Sequence, residues 1–463
     1  MAKIDISEPI PALVPGGSGH QFVLYSDACS GIPGALHERT FASINRIVQR
    51  LRPRPDFILF PGDEIVGLTG DPDQLRQQWR HWISQEMNWL NRQAIPIWHT
   101  TSNHTVYDAI SAEIFREMLD PPRNGPPRQE GLSYWVRRGD LLLVFVNTVW
   151  SGLGGEGHVE TDWLGAVLGQ HRDARYKLVI GHHPIHPING FSGPYQREIG
   201  PEHAKLFWTT LVEAGVLAYL CSHILAFDVQ VHRGVLQVCS AGAGTAHRMP
   251  DGIEYLHCVQ AAIDEAGLRY QVLDANGLVR ERLQWPIPAA PSEGWTTLPL
   301  GETKAFHTGR LGADEILMFH FSGRAASGGA SGEQTLLSAF TVDTLAPLWI
   351  GLRGPNQTIT AIIGRESGRS PSYWLGPDIS LGERFELHLL VHPGMGPGGI
   401  LYRLTDKAPW SSLTAASAIG PEQLDWPERW SVGHAQNGSR DRPFLGTDLT
   451  AKSAAAALRT SSS

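Results

Sequence analysis

Five short segments of the chain carry side-chain types able to bind metal ions: Tyr25-Ser26-Asp27-Ala28-Cys29, Phe60-Pro61-Gly62-Asp63, Thr101-Ser102-Asn103-His104, Gly181-His182-His183-Pro184 and Cys221-Ser222-His223-Ile224-Leu225. Asp, Asn and His together make an oxygen and nitrogen donor set suited to first-row transition metals. An ion held this way lowers the pKa of bound water into the physiological range and neutralises phosphoryl oxygens, which is hydrolytic chemistry.

Bringing five loops to one point takes a sheet, because functional groups in α/β folds collect beyond the carboxyl ends of strands. Strand-like runs at 21–25, 56–60, 95–99, 141–147, 177–180 and 216–220 alternate with helical patterns, an α/β arrangement. Phe41, Ile44, Ile47, Val48 and Leu51 recur at helical spacing, as do Leu75, Trp79, Trp82, Ile83, Met87 and Leu90, a stripe that reads as core packing. Closely spaced prolines and a glycine at 286–294 mark a linker. Beyond it, β-like runs at 315–322, 335–341, 348–352, 358–363 and 385–392 lie between turn residues, the pattern of an all-β sandwich. The expected division is an N-terminal extension (1–20), an α/β domain (21–285), the linker (286–294), a β-sandwich (295–450) and a flexible tail (451–463).

In this order and setting the five segments resemble the metallophosphoesterase pattern of D-x-H, G-D, G-N-H, a lone His and G-H-x-H. That pattern belongs to the calcineurin-like superfamily, and the chain is most similar to its purple acid phosphatase branch. Residues 133–148 resemble the strand pair ahead of the fourth motif, Thr161-Asp162-Trp163-Leu164 its Q-x-x-W-L helix, and 234–244 the strand and glycine turn after the last motif. The resemblance covers residues 21–285 and implies a β-sandwich flanked by helices, four layers in the order αββα. It also implies two metals bridged by a carboxylate and a hydroxide that attacks phosphorus in line.

Carried onto this chain, the resemblance makes Asp63 the bridging carboxylate and gives Asn103, His182 and His223 to the second metal position. It makes His104 the group that contacts phosphoryl oxygens and protonates the leaving group. The first position keeps Asp27 and Asp63 but has Cys29 and Leu225 where the pattern has imidazoles. Cys29 is open to two readings: a thiolate ligand to a softer metal, or a small buried side chain beside a vacated position. The expectation is one firmly bound Fe, Mn or Zn ion, with the second incomplete. Thr105 stands where many relatives carry an acid that orients the histidine, and Asp108 is the candidate replacement. His183 reads as a pocket-wall or hydrogen-bonded residue and Cys221 as packing. His99, His158, His186, His203, His232 and His247 read as solvated or hydrogen-bonded, with His186 and His247-Arg248 in a position to reach substrate.

Segments 381–389, 398–402, 430–433 and 443–446 resemble a concanavalin A-like or laminin G-like sandwich, all-β and jelly-roll-like. That resemblance implies either packing against the first domain or contact with a glycan or protein.

Composition bounds the rest. A chain of 463 residues favours two domains, and its Gly 50 and Pro 32 supply many turns. A net charge of −8 without a basic block argues against a nucleic-acid partner. Four cysteines without a C-x-x-C pair argue against a disulfide framework. No segment reaches the roughly 18 apolar residues of a membrane span, and the N-terminus has no stretch of signal-peptide type, so a soluble, cytoplasmic chain with no membrane partner is expected. The functional expectation is a metal-dependent hydrolase acting on a phosphoester or another small molecule through a metal-activated water. Two alternatives stand beside it: changed, non-phosphate chemistry on one metal, or a non-catalytic binding protein with a residual site.

Overall fold

A computed structural model describes residues 10–13, 19–149, 159–189, 199–245, 254–287, 294–304, 309–328, 332–341, 344–364, 371–416, 425–426, 429–437 and 440–457. Its first half is built on β1 (His20–Leu24), β2 (Phe57–Phe60) and β3 (Ile97–His99), which run parallel. Between and after them lie α1 (Leu36–Arg50), α2 (Pro72–His81) and α3 (Ala109–Leu119). The chain continues through β4 (Tyr134–Arg138), β5 (Leu141–Phe145), α4 (Thr161–Gln170), β6 (Tyr176–Ile180), α5 (Pro201–Glu213), β7 (Ala218–Cys221), β8 (Phe227–His232) and β9 (Val235–Ser240). Three antiparallel strands follow, β10 (His257–Asp264), β11 (Gly267–Asp274) and β12 (Val279–Trp285).

These strands make two six-stranded sheets, ordered β12-β11-β10-β1-β2-β3 and β4-β5-β6-β7-β9-β8. Phe22, Leu24, Phe57 and Leu59 of the first share a core with Leu143, Phe145, Leu178, Ile180 and Leu220 of the second. The alternate residues Val23, Tyr25, Ile58 and Phe60 pack instead with Phe41, Ile44, Trp79, Trp82 and Phe115 from the α1–α3 side. On the second sheet Leu142, Val144 and Val179 meet Leu164, Val167, Phe207 and Leu211 of α4 and α5. Helices, sheet, sheet and helices are therefore stacked, and strands covered on both faces read as unbroken apolar runs such as Phe-Ile-Leu-Phe at β2. The stripe from Leu75 to Leu90 is not one regular helix: α2, capped by Asp71 and started by Pro72, passes at Trp82–Glu86 into a π-helical turn.

The second half is two antiparallel sheets. One runs in the order Thr296–Leu298, Thr447–Ala457, Glu315–Arg324, Arg384–Val391, Ile400–Arg403 and Ser411–Ser412. The other contains Glu333–Thr341, Thr344–Arg353, Thr358–Ile363 and Ser372–Asp378. Leu317, Phe319, Phe321, Leu387 and Leu389 share a core with Leu337, Ile350, Leu352, Ile359 and Trp374, which makes the pair a sandwich.

The expected flexible tail requires a correction. Residues 451–457 belong to the strand Thr447–Ala457, which is paired on one side with Glu315–Arg324 and on the other with Thr296–Leu298. Its alanines and serines are small enough to lie between two strands, with Ala451, Ser453 and Ala454 buried. Cross-strand pairing overrides the weak strand preference of alanine. Residues 458–463 and most of the expected linker, 288–293, lie outside the described residues.

The two halves are interlocked. Ile316, Met318, Leu390, Leu401 and Ala454 of the sandwich join the core that lies between the first two sheets. A Cβ at Gly398 would strike the carbonyl oxygen of Val229 in β8. Among the described residues no helix is long and apolar enough to cross a membrane.

Candidate metal centre

Every loop expected to carry a ligand leaves the carboxyl end of a parallel strand: Asp27 and Cys29 after β1, Asp63 after β2, Asn103 and His104 after β3, His182 after β6 and His223 after β7. The loops after β1 and β2 prolong the strand pairing, since Asp27 N donates to Gly62 O (3.2 Å), Cys29 N to Asp63 O (2.7 Å) and Ser30 N to Glu64 O (3.0 Å). Asp27, Cys29, Asp63 and His223 all hold left-handed backbone, with φ of 61°, 41°, 58° and 69°. Each such non-glycine residue costs about 1 kcal/mol or more, and strain of this kind gathers where side chains must be aimed. Gly62, at φ 98°, is required for another reason: a Cβ there would lie 2.6 Å from Ser102 Cβ and 2.8 Å from His182 Nδ1.

Four donor atoms meet at the second metal position. His182 Nε2 is 2.9 Å from Asn103 Oδ1, 3.1 Å from His223 Nδ1 and 3.5 Å from Asp63 Oδ1, and His223 Nδ1 is 3.0 Å from Asn103 Oδ1. Ligands about 2.0–2.2 Å from a tetrahedral ion lie about 3.3–3.6 Å from one another, so these spacings fit a small cation closely. Protonation points the same way. His182 Nδ1 donates to Pro61 O at 2.8 Å, which leaves a lone pair on Nε2, and burial holds this imidazole below its usual pKa. That lone pair faces other acceptors. Asp63 Oδ1 is buried without a hydrogen bond. Acceptors gathered this closely would be relieved by a cation among them, and in part by a proton on His223 Nδ1.

At the first position, Asp27 Oδ1 is likewise buried without a hydrogen bond, and Ser26 Oγ donates to Oδ2 at 2.7 Å. Burial, then the neighbouring Asp63, pushes the Asp27 carboxyl well up. Asp63 goes the other way: burial alone would raise it, but the imidazoles of His104 and His182, the Ser102 hydroxyl and His223 hold it below its ordinary value. Cys29 Sγ is 3.8 Å from Asp63 Oδ2, and burial with the charges of Asp63 and Asp27 pushes the thiol well up. Leu225 packs instead against the apolar cluster under α4 and α5.

His104, like His223, is partly open to solvent. Its Nδ1 donates to Val66 O at 2.7 Å and its Nε2 lies 3.9 Å from Asp63 Oδ2. The orienting acceptor is thus a backbone carbonyl, which corrects the expectation for Asp108. That carboxylate accepts instead from Ser111 N at 2.7 Å as the cap of α3. Thr105 Oγ1 braces Ser102 Oγ at 2.8 Å, and that hydroxyl in turn accepts from Asp63 N at 3.0 Å.

Other side chains support the loops: His183 as the hydrogen-bonded residue expected from the sequence, and Glu64 and Ser222 without an expectation of their own. His183 is buried, bonded through Nδ1 to Thr148 Oγ1 at 2.8 Å, and its ring lies 4.3 Å from that of His223. Ser222 Oγ donates to Pro61 O at 2.6 Å and stands 2.9 Å from His182 Nδ1. Behind the loops, Glu64 Oε1 meets His99 Nδ1 at 2.7 Å; burial pushes the acid up and the imidazole well down, so both are neutral. The one hint for Glu64 and Ser222 was position, since each adjoins a motif residue. His186 and His232 stack on each other with centroids 3.6 Å apart. His158, His247 and Arg248 lie outside the described residues.

No protein-family model and no curated protein sequence matches the chain. Among solved structures it is similar to the purple acid phosphatase PPD1 of yellow lupin, at 12% identity over 60% of this chain and 54% of that one, with a TM-score of 0.45. It is also similar to GAP50, the anchor in the inner membrane complex of Plasmodium, at 14% identity over 57% of this chain and 88% of that one, TM-score 0.41. A third is zinc-complexed Vps29 of Entamoeba histolytica, at 9% identity over 57% of this chain and 98% of that one, TM-score 0.27. The chain thus spans about half of the lupin phosphatase. At such identities and scores the chemistry must be read from the side chains themselves.

Proposed function

We propose that the chain is a metal-dependent hydrolase of the calcineurin-like type that cleaves a phosphoester with one firmly held Fe, Mn or Zn ion. The observation that carries this reading is His182 Nε2, which lies within 3.5 Å of Asp63 Oδ1, Asn103 Oδ1 and His223 Nδ1 while the proton on its Nδ1 is committed to Pro61 O. Bound there, the ion supplies Lewis acidity toward a phosphoryl oxygen and a lowered pKa for water.

The remaining work falls to the chain. Val66 O keeps a proton on His104 Nδ1 and turns Nε2 toward the Asp63 side of the site, where the doubly protonated ring would give its Nε2 proton to the departing oxygen and return to the neutral form. Ser222 and Pro61 hold the tautomer of His182, and Ser102 holds the Asp63 backbone. Burial and Asp63 push Asp27 up, and burial and both carboxylates push Cys29 up, which makes both weaker ligands at the first position. This supports a one-metal site with low turnover of generic phosphoesters. The sandwich is assigned to the concanavalin A-like or laminin G-like class and, through the shared core, to packing against the catalytic half.

Metal analysis with aryl phosphate mono- and diester turnover, with and without added Mn, Fe or Zn, tests the reading. Asn103→Ala and His223→Ala are expected to lose both metal and turnover. Turnover that survives both substitutions would overturn it.

A further inference from the structure

A second knot of donors stands on the sandwich. His320 and His388 are register partners on the neighbouring strands Glu315–Arg324 and Arg384–Val391, and their rings stack with centroids 4.4 Å apart. Both turn Nε2 toward one carboxylate oxygen: Glu386 Oε1 is 3.2 Å from His320 Nε2 and 3.0 Å from His388 Nε2. Asp406 Oδ1 lies 3.4 Å from His388 Nε2, from the turn that follows Ile400–Arg403.

His320 Nε2 is shielded from solvent yet makes no hydrogen bond of proper geometry, even with Glu386 so near. An Nε2–H aimed at the carboxylate would make one. The buried nitrogen is thus left without a partner of its own, a gap that a cation between the two imidazoles and the carboxylate would fill. Two cationic side chains border the knot. Arg403, the register partner of His388, is held by Asp406 O at 2.8 Å and Asp406 Oδ1 at 3.3 Å and lies 4.7 Å from the Trp410 ring, so Asp406 would have to leave it to join a metal, while Lys452, the partner of His320, is exposed.

We propose that His320, Glu386 and His388 form a zinc site separate from the candidate catalytic centre, with Asp406 in reach as a fourth ligand. Two imidazole nitrogens and a carboxylate oxygen are a donor set zinc accepts, and tetrahedral ligands about 3.3 Å apart match the spacings seen. Three ligands on paired strands are also held more rigidly than ligands on loops. The ion ties two central strands of the sheet whose same face packs on the first half of the molecule.

The test strips the full chain with a chelator and titrates it with zinc alone by calorimetry, beside His320→Gln/His388→Gln and His182→Gln/His223→Gln. Two equivalents are expected in the unaltered chain and one in each double variant. Glu386→Gln, checked for fold by circular dichroism, is expected to weaken the sandwich equivalent while leaving the other. The proposal is overturned if His320→Gln/His388→Gln keeps every equivalent, if His182→Gln/His223→Gln binds none, or if folded Glu386→Gln binds zinc as tightly as the unaltered chain. Failure of the catalytic reading alone would look different: one equivalent that survives His182→Gln/His223→Gln and disappears in His320→Gln/His388→Gln.

Discussion

Cys29 and Asp63 are joined twice, by a 2.7 Å bond from the Cys29 amide to the Asp63 carbonyl and by a 3.8 Å approach of the thiol to the Asp63 carboxylate. The backbone therefore aims whatever occupies position 29 at the one carboxylate that both metal positions would share. A thiol pushed well up by burial and by two carboxylates is a poor occupant for that purpose.

Cys29→Ala is accordingly expected to keep its metal, and the native thiol to resist alkylation at neutral pH. Cys29→His/Leu225→His is expected to add one bound metal ion per chain and to increase aryl phosphate turnover. Elemental analysis of purified protein reads both, and a Cys29→Ala protein that loses its metal would place the thiolate in the ligand set.

Replacing His104 by Asn removes the proposed proton donor without touching the four candidate ligands. Turnover of an alkyl phosphate, a poor leaving group, is expected to fall by about 10²–10⁴-fold, and that of a nitrophenyl ester by much less. Steady-state rates on the two substrates decide this; equal losses on both would mean that His104 positions rather than protonates.

Gly62→Ala places a methyl group against Ser102 and His182 on backbone at φ 98°. Metal loss is expected to exceed the loss of stability, because the clash falls on His182, a candidate ligand. Comparing metal content with the thermal midpoint separates the two effects, and full metal occupancy in the variant would contradict the geometry.

Histidines lowered by burial, His99 and His182 among them, contribute to the response to acid. Burial lowers His186 to about 4, His232 to about 3, His257 to about 4 and His392 to about 4. The unfolded chain takes up these protons first, so stability falls as pH drops below about 6.5, by about 1.4 kcal/mol per unit for each group. Asp228 offsets part of this, since burial raises its carboxyl to about 6 and the folded chain gains that proton first. The thermal midpoint should therefore fall between pH 7 and pH 5, more gently in His392→Gln. A midpoint that is flat across that range would remove the argument.

The sequence displayed whatever rests on the chain's own periodicity or on a side chain's own chemistry. Phe-Ile-Leu-Phe at β2 and Leu-Leu-Leu-Val-Phe at β5 are strands buried on both faces and look it. Asp27, Cys29, Asp63, Asn103, His182 and His223 are drawn together as their positions after strands suggested. What stayed hidden depends on partners distant in the chain. The neutral Glu64–His99 pair exists only because two loops meet, and the acceptor that turns His104 is a backbone carbonyl, which no letter records. Thr447–Ala457 hid for the same reason: an alanine run becomes a strand only when Glu315–Arg324 and Thr296–Leu298 flank it.

That strand also sets a timetable. It lies inside its sheet, next to the strand that carries His320, yet it is the last described segment to leave the ribosome. At about 5–20 residues per second, roughly 8–30 seconds separate emergence of β12, which completes both sheets around the candidate metal centre, from emergence of the strand that lets the sandwich close. Over that interval the apolar ground later covered by Ile316, Met318, Leu390 and Ala454 is open to water and to neighbouring nascent chains. Production of this protein should therefore respond to slowed synthesis and to holdase chaperones more than the compactness of its first half would suggest.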